Sequence, residues 1–85
     1  MEVLGRLFDV RDARAVVTGS ASGLGFAMAE VLADCGARVT LADIDGARLE
    51  RRTESLVERG GKARAYVVDV SDSSQVRALF DDVVE

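Results

Sequence analysis

The chain has no histidine, no proline and no tryptophan, and Cys35 is its single cysteine. With so few soft ligands, a protein metal site is not expected. Without proline, and without repeats or low-complexity tracts, nothing marks a linker, so the chain reads as one unit. No apolar run approaches the roughly 20 residues that span a bilayer. The N-terminus has no charged lead followed by an apolar core, so no secretory signal is read there and a cytoplasmic location is expected. Excess positive charge is also missing. The formal net charge is −4, which argues against nucleic acid, whose phosphates call for a basic surface. With 48% hydrophobic and 31% charged residues, the composition is that of a globular chain and not a disordered one.

What is present centres on Thr18-Gly19-Ser20-Ala21-Ser22-Gly23-Leu24-Gly25. This stretch follows a short apolar run, Ala15-Val16-Val17, that reads as a buried strand, and it opens a segment with helical apolar spacing. A strand, a tight glycine turn and a helix N-terminus together make an anion cradle. Free backbone N–H groups and the positive end of the helix dipole point at whatever lies over the turn. Glycine suits the turn because a Cβ would collide with the ligand or forbid the backbone angles. The pyrophosphate of a dinucleotide is the best candidate ligand. The spacing is Gly-x-x-x-Gly-x-Gly and not the commoner Gly-x-Gly-x-x-Gly, and no Gly-Lys-Ser/Thr follows, which excludes a P-loop. By itself such a turn could be an ordinary strand-to-helix connection; three further features favour the cradle.

The first is Asp43, which closes a second strand-like run, Ala37-Arg38-Val39-Thr40-Leu41-Ala42, about 20 residues beyond the turn. A carboxylate there can accept hydrogen bonds from both hydroxyls of an adenosine ribose, and its charge repels a 2′-phosphate. Neither Ser22 nor the following Ile44 supplies a positive charge to offset that repulsion, so NAD is expected over NADP. The second is Asp69-Val70, closing a third strand-like run over residues 63–68. An Asp side chain and the next backbone N–H can read an adenine edge, although a turn-forming Asp is the blander reading of this pair alone.

The third is the rhythm strand, helix, strand, helix, strand, helix, which implies an α/β fold with a parallel sheet and right-handed crossovers. Leu24, Met28, Val31, Leu32 and Cys35 share one face of the first helix, with Cys35 expected as core packing, and Gly36 is placed to end that helix. Leu49, Thr53, Leu56 and Val57 give a weaker stripe on the second helix, stopped by Gly60-Gly61. Arg48, Arg51, Arg52 and Arg59 are expected on its solvated face. Val76, Leu79, Phe80, Val83 and Val84 fit the third helix, whose start is marked by Ser71 and Asp72 with Gln75 placed for a capping box.

On these residues, Thr18 to Gly25, Asp43 and Asp69-Val70, the chain resembles the short-chain dehydrogenase/reductase family. The lead-in Leu7-Phe8-Asp9-Val10 is also similar to the approach to the first strand in many members. The resemblance implies a Rossmann-type sheet with helices on both faces, of which residues 1–85 would be the first, dinucleotide-binding half (βαβαβα). It implies an oxidoreductase that moves a hydride between NAD and a small alcohol or carbonyl substrate, with a homo-oligomer expected of the full-length enzyme. Gly19, Ser22, Gly23, Leu24 and Gly25 would hold phosphate and ribose, Asp43 with Ile44 the adenosine ribose, and Asp69 and Val70 the adenine.

The resemblance places the catalytic groups of the family, a Ser and then a Tyr and Lys one helical turn apart, beyond this chain. The only tyrosine and lysine here, Tyr66 and Lys62, stand in the reversed order on an expected strand. At about 3.3 Å rise per residue their Cα atoms would be roughly 13 Å apart, against about 5–6 Å between side-chain neighbours on a helix. No catalytic residue is therefore assigned, and the chain reads as the N-terminal third of a longer enzyme. Two other readings remain at this point: a nucleotide-binding module without chemistry, and another Rossmann-like class such as a methyltransferase, which the spacing from Gly19 to Gly23 disfavours.

Overall fold

The computed structural model describes residues 11–84; residues 7–10, the lead-in to the first strand, lie outside them. Strands and helices alternate: β1 (Arg14–Thr18), α1 (Gly23–Asp34), β2 (Arg38–Asp43), α2 (Gly46–Glu58), β3 (Lys62–Val67) and α3 (Ser73–Val84). The strands pair in the order β1-β2-β3, both pairings parallel, with Thr18 opposite Ala42 and Ala42 opposite Tyr66. The sheet is the open βαβαβα arrangement that the rhythm implies.

Strand alternation divides the core between the two faces. Val17, Val39 and Leu41, with part-buried Ala63 and Ala65, meet Ala29 and Ala33 of α1 and Leu49 and Leu56 of α2. On the other face Ala42 and Val68, with part-buried Val16 and Tyr66, meet Leu79 and Val83 of α3. Leu41, Leu49, Leu56 and Leu79 are fully buried. Each such side chain is worth about 1.5–3 kcal/mol relative to an exposed one.

The first helix departs from its expected packing. Of the stripe assigned to the core, Leu24 is 78% exposed, Met28 55% and Val31 38%. Leu32 is part-buried against the core, and Cys35 is part-buried at the C-cap. Ala29 and Ala33 are the residues of α1 laid on the sheet. The reason is distance. A Cβ on Gly25, one turn before Ala29, would lie 2.2 Å from the Gly19 carbonyl oxygen, so the helix starts too close to the turn for any side chain. Small residues win the near face, and Leu24, Met28 and Val31 are displaced outward.

In α2, Leu49, Thr53 and Leu56 are buried as the stripe requires, while Val57 is turned out. Two of its four arginines do more than face solvent. Arg52 lies over the Phe26 ring, 4.6 Å from the centroid. Arg59, at the C-cap, pairs with Glu30 at 2.7 Å and Asp34 at 2.9 Å, so the C-terminal half of α2 is tied to α1. Gly60 and Gly61 close the helix by donating to Val57 and Leu56 carbonyls, 2.9 Å each.

Asp72 caps α3, accepting from the Ser74 and Gln75 N–H groups at 3.0 and 3.3 Å. The expected capping box closes in an altered form. Gln75 Oε1 accepts not from the cap residue but from the Asp69 N–H at 2.9 Å, which ties the helix start to the end of β3. Leu79 is buried, whereas Phe80 falls off the stripe and is half-exposed.

Candidate nucleotide-binding site

Because the strands are parallel and in register, the glycine turn, Asp43-Ile44 and Asp69-Val70 all lie at one edge of the sheet, at the carboxyl ends of β1, β2 and β3. Ligands of open α/β sheets bind along this edge.

The turn leaves β1 through Gly19, whose φ of +66° is in the left-handed region that favours glycine. Ser20 is fully buried and anchors the turn: its hydroxyl donates to the Val17 carbonyl, and its N–H donates to the Ala42 carbonyl at 3.2 Å. Ser22 is the N-cap of α1, in extended conformation, but its side chain does not cap. The hydroxyl turns back to the Gly19 carbonyl at 2.7 Å. The first backbone donor of α1 satisfied by the protein is the Phe26 N–H, to Ser22 O at 2.9 Å. The N–H groups of Gly23 and Leu24 therefore have no partner among the described residues, and no acidic side chain occupies the first turn. This is the donor set an anion requires.

The two glycines that open α1 have different surroundings. Around Gly23 an added Cβ would meet nothing within 4 Å, whereas at Gly25 it would collide with the turn. Gly23 fits a position kept bare for a ligand, and Gly25 one kept bare for the protein itself. Leu24, whose side chain is largely exposed, flanks the same opening.

Asp43 is part-buried and joins the turn directly. Its Oδ2 accepts from the Ala21 N–H at 3.0 Å and its Oδ1 from the Asp45 N–H at 3.1 Å. These backbone donors, that of Asp45 foremost, hold its carboxyl below the usual carboxylate range, with the Arg48 charge adding to the effect. Each carboxylate oxygen has a second lone pair, so both remain able to accept from ribose hydroxyls. Ile44 projects beside it, 67% exposed.

Asp69 and Val70 sit beyond β3. Asp69 Oδ1 accepts from the Ser71 N–H and hydroxyl at 2.9 and 2.6 Å, a turn-stabilising role that also lowers its pKa. Its Oδ2 and the Val70 N–H have no partner among the described residues, which leaves one acceptor and one donor unused.

The sequence reading did not foresee the Asp43 to Ala21 bond or the nearby Arg48. Periodicity carries no signal for the bond, because only the fold joins residues 22 apart, whereas the charge of Arg48, five residues after Asp43, lies in local sequence. Lys62 and Tyr66 are engaged elsewhere. Lys62 pairs with Asp12 at 2.7 Å at the amino end of β3, and Tyr66 packs under α3. Among the described residues no group of three His, Cys, Asp or Glu side chains could hold a metal ion, and no helix is long and apolar enough to cross a membrane.

Residues 13–85 match the family model of the short chain dehydrogenases. A similar curated protein is the uncharacterized oxidoreductase YxbG of Bacillus subtilis, 42% identical over 69 residues, which are 81% of this chain and 25% of that protein. Another is the 1-deoxy-11-beta-hydroxypentalenate dehydrogenase of Streptomyces exfoliatus, 45% identical over 67 residues, 79% of this chain and 24% of that protein. Among solved structures, a short chain dehydrogenase/reductase from Burkholderia phymatum in complex with NAD superposes with a TM-score of 0.86 at 38% identity, covering 91% of this chain and 27% of that one. The apo form of LigD from Sphingobium sp. strain SYK-6 gives 0.85 at 33% identity, covering 88% and 32%. This chain thus spans about a quarter of the length of the curated relatives it matches. The family match over residues 13–85, and not the glycine turn or the parallel sheet that Rossmann-like classes share, removes the methyltransferase reading: the chain belongs to the short-chain dehydrogenase family.

Proposed function

We propose that residues 1–85 form the NAD-binding half of an oxidoreductase that moves a hydride between the cofactor and an alcohol or carbonyl carbon. One observation carries the reading: the unpartnered N–H groups of Gly23 and Leu24 above a glycine with open space, beside a carboxylate bonded to the same turn. The pyrophosphate would lie over Gly19, Ser22, Gly23 and Leu24, the adenosine ribose on Asp43 next to Ile44, and the adenine toward Asp69 and Val70. Gly25 would act indirectly, by keeping α1 close to the turn. When bound, the nicotinamide supplies the hydride donor or acceptor; this chain binds and orients.

We also propose NAD over NADP. Asp43 is held ionised, so a 2′-phosphate would meet a full negative charge. At about 4 Å and an effective dielectric near 20 that costs roughly 4 kcal/mol, reduced by water and salt. Arg48 offsets part of it, which the sequence reading did not include. Family membership supports a small-molecule substrate for the longer protein, the resemblance alone supports a homo-oligomer, and a cytoplasmic location rests only on the sequence reading. The direct test is a calorimetric titration with NAD of the chain and of Gly23→Val. Binding should be saturable and lost in the variant; equal affinity in a folded variant would overturn the assignment.

A further inference from the structure

The opposite end of the sheet carries a cluster that the nucleotide site does not use. At the amino ends of the strands Arg14, Arg38 and Lys62 are direct partners in the parallel register. Alternation places them on the α3 face, with Val16, Thr40 and Tyr66, and Arg64 follows two residues after Lys62. Neighbouring strands are about 4.8 Å apart, and like charges side by side across a sheet destabilise it. Arg14 is engaged, its Nη1 donating to the Val83 carbonyl at 3.1 Å, and Arg38, Lys62 and Arg64 call for anions.

The described carboxylates answer part of it. Asp12 accepts from Lys62 Nζ at 2.7 Å and stands 4.0 Å from Arg38 Nε. Asp82, on α3, stands 3.5 Å from Arg64 Nη1, while Arg64 Nε donates to Thr40 Oγ1 at 3.1 Å. The bond from Lys62, with the charges of Lys62, Arg38 and Arg11, holds Asp12 below its usual pKa. Arg38 is the cation least served. No described group accepts a hydrogen bond from its guanidinium, and its shared partner lies at the limit of an ion pair. A cavity of about 330 Å³ opens here, lined among others by Arg14, Arg38, Thr40, Lys62, Arg64 and Asp82. With a water occupying about 30 Å³ in the liquid, that is room for a small anion with part of its hydration shell.

We infer that this cavity binds a small dianionic oxyanion, a phosphate or phosphomonoester, with Arg38 as its principal donor and Lys62 and Arg64 flanking. A guanidinium presents two parallel N–H groups to two oxygens of such a group, and an ammonium adds a point charge. The site is at the far end of the strands from the glycine turn, so each can fill without the other.

The test follows backbone amide chemical shifts of the chain during titration with inorganic phosphate and, separately, methyl phosphate, at constant ionic strength set by chloride. Amides of residues 38–40 and 62–64 should shift saturably, and those of residues 19–25 report any phosphate taken by the glycine turn. Tighter binding of the ester would identify an organic phosphate as the ligand; tighter binding of phosphate, the free ion. Arg38→Gln removes one charge-assisted contact from an exposed position and should weaken binding about tenfold; Arg64→Gln, a second variant, should also weaken it. Three results would each overturn the inference: shifts confined to residues 19–25, shifts that chloride alone reproduces, or unchanged affinity in both variants. Failure of NAD binding would leave it standing, because the readout lies at the other end of the sheet.

Discussion

Adding one methyl group at Gly25 and at Gly23 should have opposite consequences. At Gly25 the new Cβ would stand 2.2 Å from the Gly19 carbonyl oxygen and 3.2 Å from the Ser20 Cα. Ordinary contacts begin near 3.5 Å, so α1 and the turn must separate by about 1 Å, and both sides of the clash are backbone. Overpacking of this kind costs about 1–3 kcal/mol or more. The gain from replacing a helical glycine by alanine is about 0.5–1 kcal/mol and cannot cover it. For a domain of this size each 1 kcal/mol shifts Tm by about 4–8 °C, so Gly25→Ala should melt several degrees lower and bind NAD more weakly, because the turn is displaced. At Gly23 the Cβ meets nothing. Gly23→Ala should therefore melt at or above the parent temperature and lose affinity only through contact with the ligand. Thermal unfolding followed by circular dichroism, paired with calorimetric NAD titration, separates the two. Equal melting of Gly25→Ala and the parent chain would refute the close-approach reasoning.

Other outcomes follow from the same geometry. Asp43→Ala should lower NAD affinity and narrow its margin over NADP, and adding Ile44→Arg should move preference toward NADP; an unchanged ratio of the two affinities would remove Asp43 from that role. Because Asp43 also accepts from Ala21, the single variant should speed hydrogen exchange at the turn amides even without ligand. Asp43, Asp69 and Asp72 all have carboxyls held below their usual range by hydrogen bonds. The folded state thus binds protons less readily than the unfolded one, so this stability is complete above about pH 5 and fades as pH falls through 4; Tm measured from pH 7 to 3 should be flat and then drop. The chain by itself should show no dehydrogenase activity with any alcohol tested, since its only tyrosine and lysine are engaged apart from each other, and turnover by purified chain would contradict this. A version lengthened by the next strand should unfold at higher temperature if that strand pairs with the open edge of β1.

The elements themselves were legible in the sequence, since each rests on local signals. Val16 and Val17 before the glycine turn, the Leu49, Thr53 and Leu56 stripe of α2 and the Gly60-Gly61 stop act over a few residues, and their effects do not depend on the rest of the fold. The run 37–42 was readable as a strand, while its division, Val39 and Leu41 to one face and Thr40 and Ala42 to the other, is seen in the structure. The glycine spacing and the position of Asp43 were equally readable, because a strand-turn-helix unit followed by a second strand carries them to one sheet edge at fixed separations.

What the tertiary structure decided are choices between faces and between distant partners. Periodicity finds a stripe on α1, but whether Leu24 and Met28 or Ala29 and Ala33 touch the sheet depends on how closely the helix approaches, and Gly25 against Gly19 sets that. Arg59 reads as one more solvated charge until Glu30 and Asp34 are brought beside it. Asp43 reads as a ribose acceptor, and only the fold shows that it also holds the turn, across 22 residues of sequence. The Arg14, Arg38 and Lys62 row is invisible as a pattern because its members are spread along the chain and the pairing register alone aligns them. Local propensity acts on neighbours in sequence, whereas desolvation, steric closeness and charge act on neighbours in space, and those are known only once the sheet has formed.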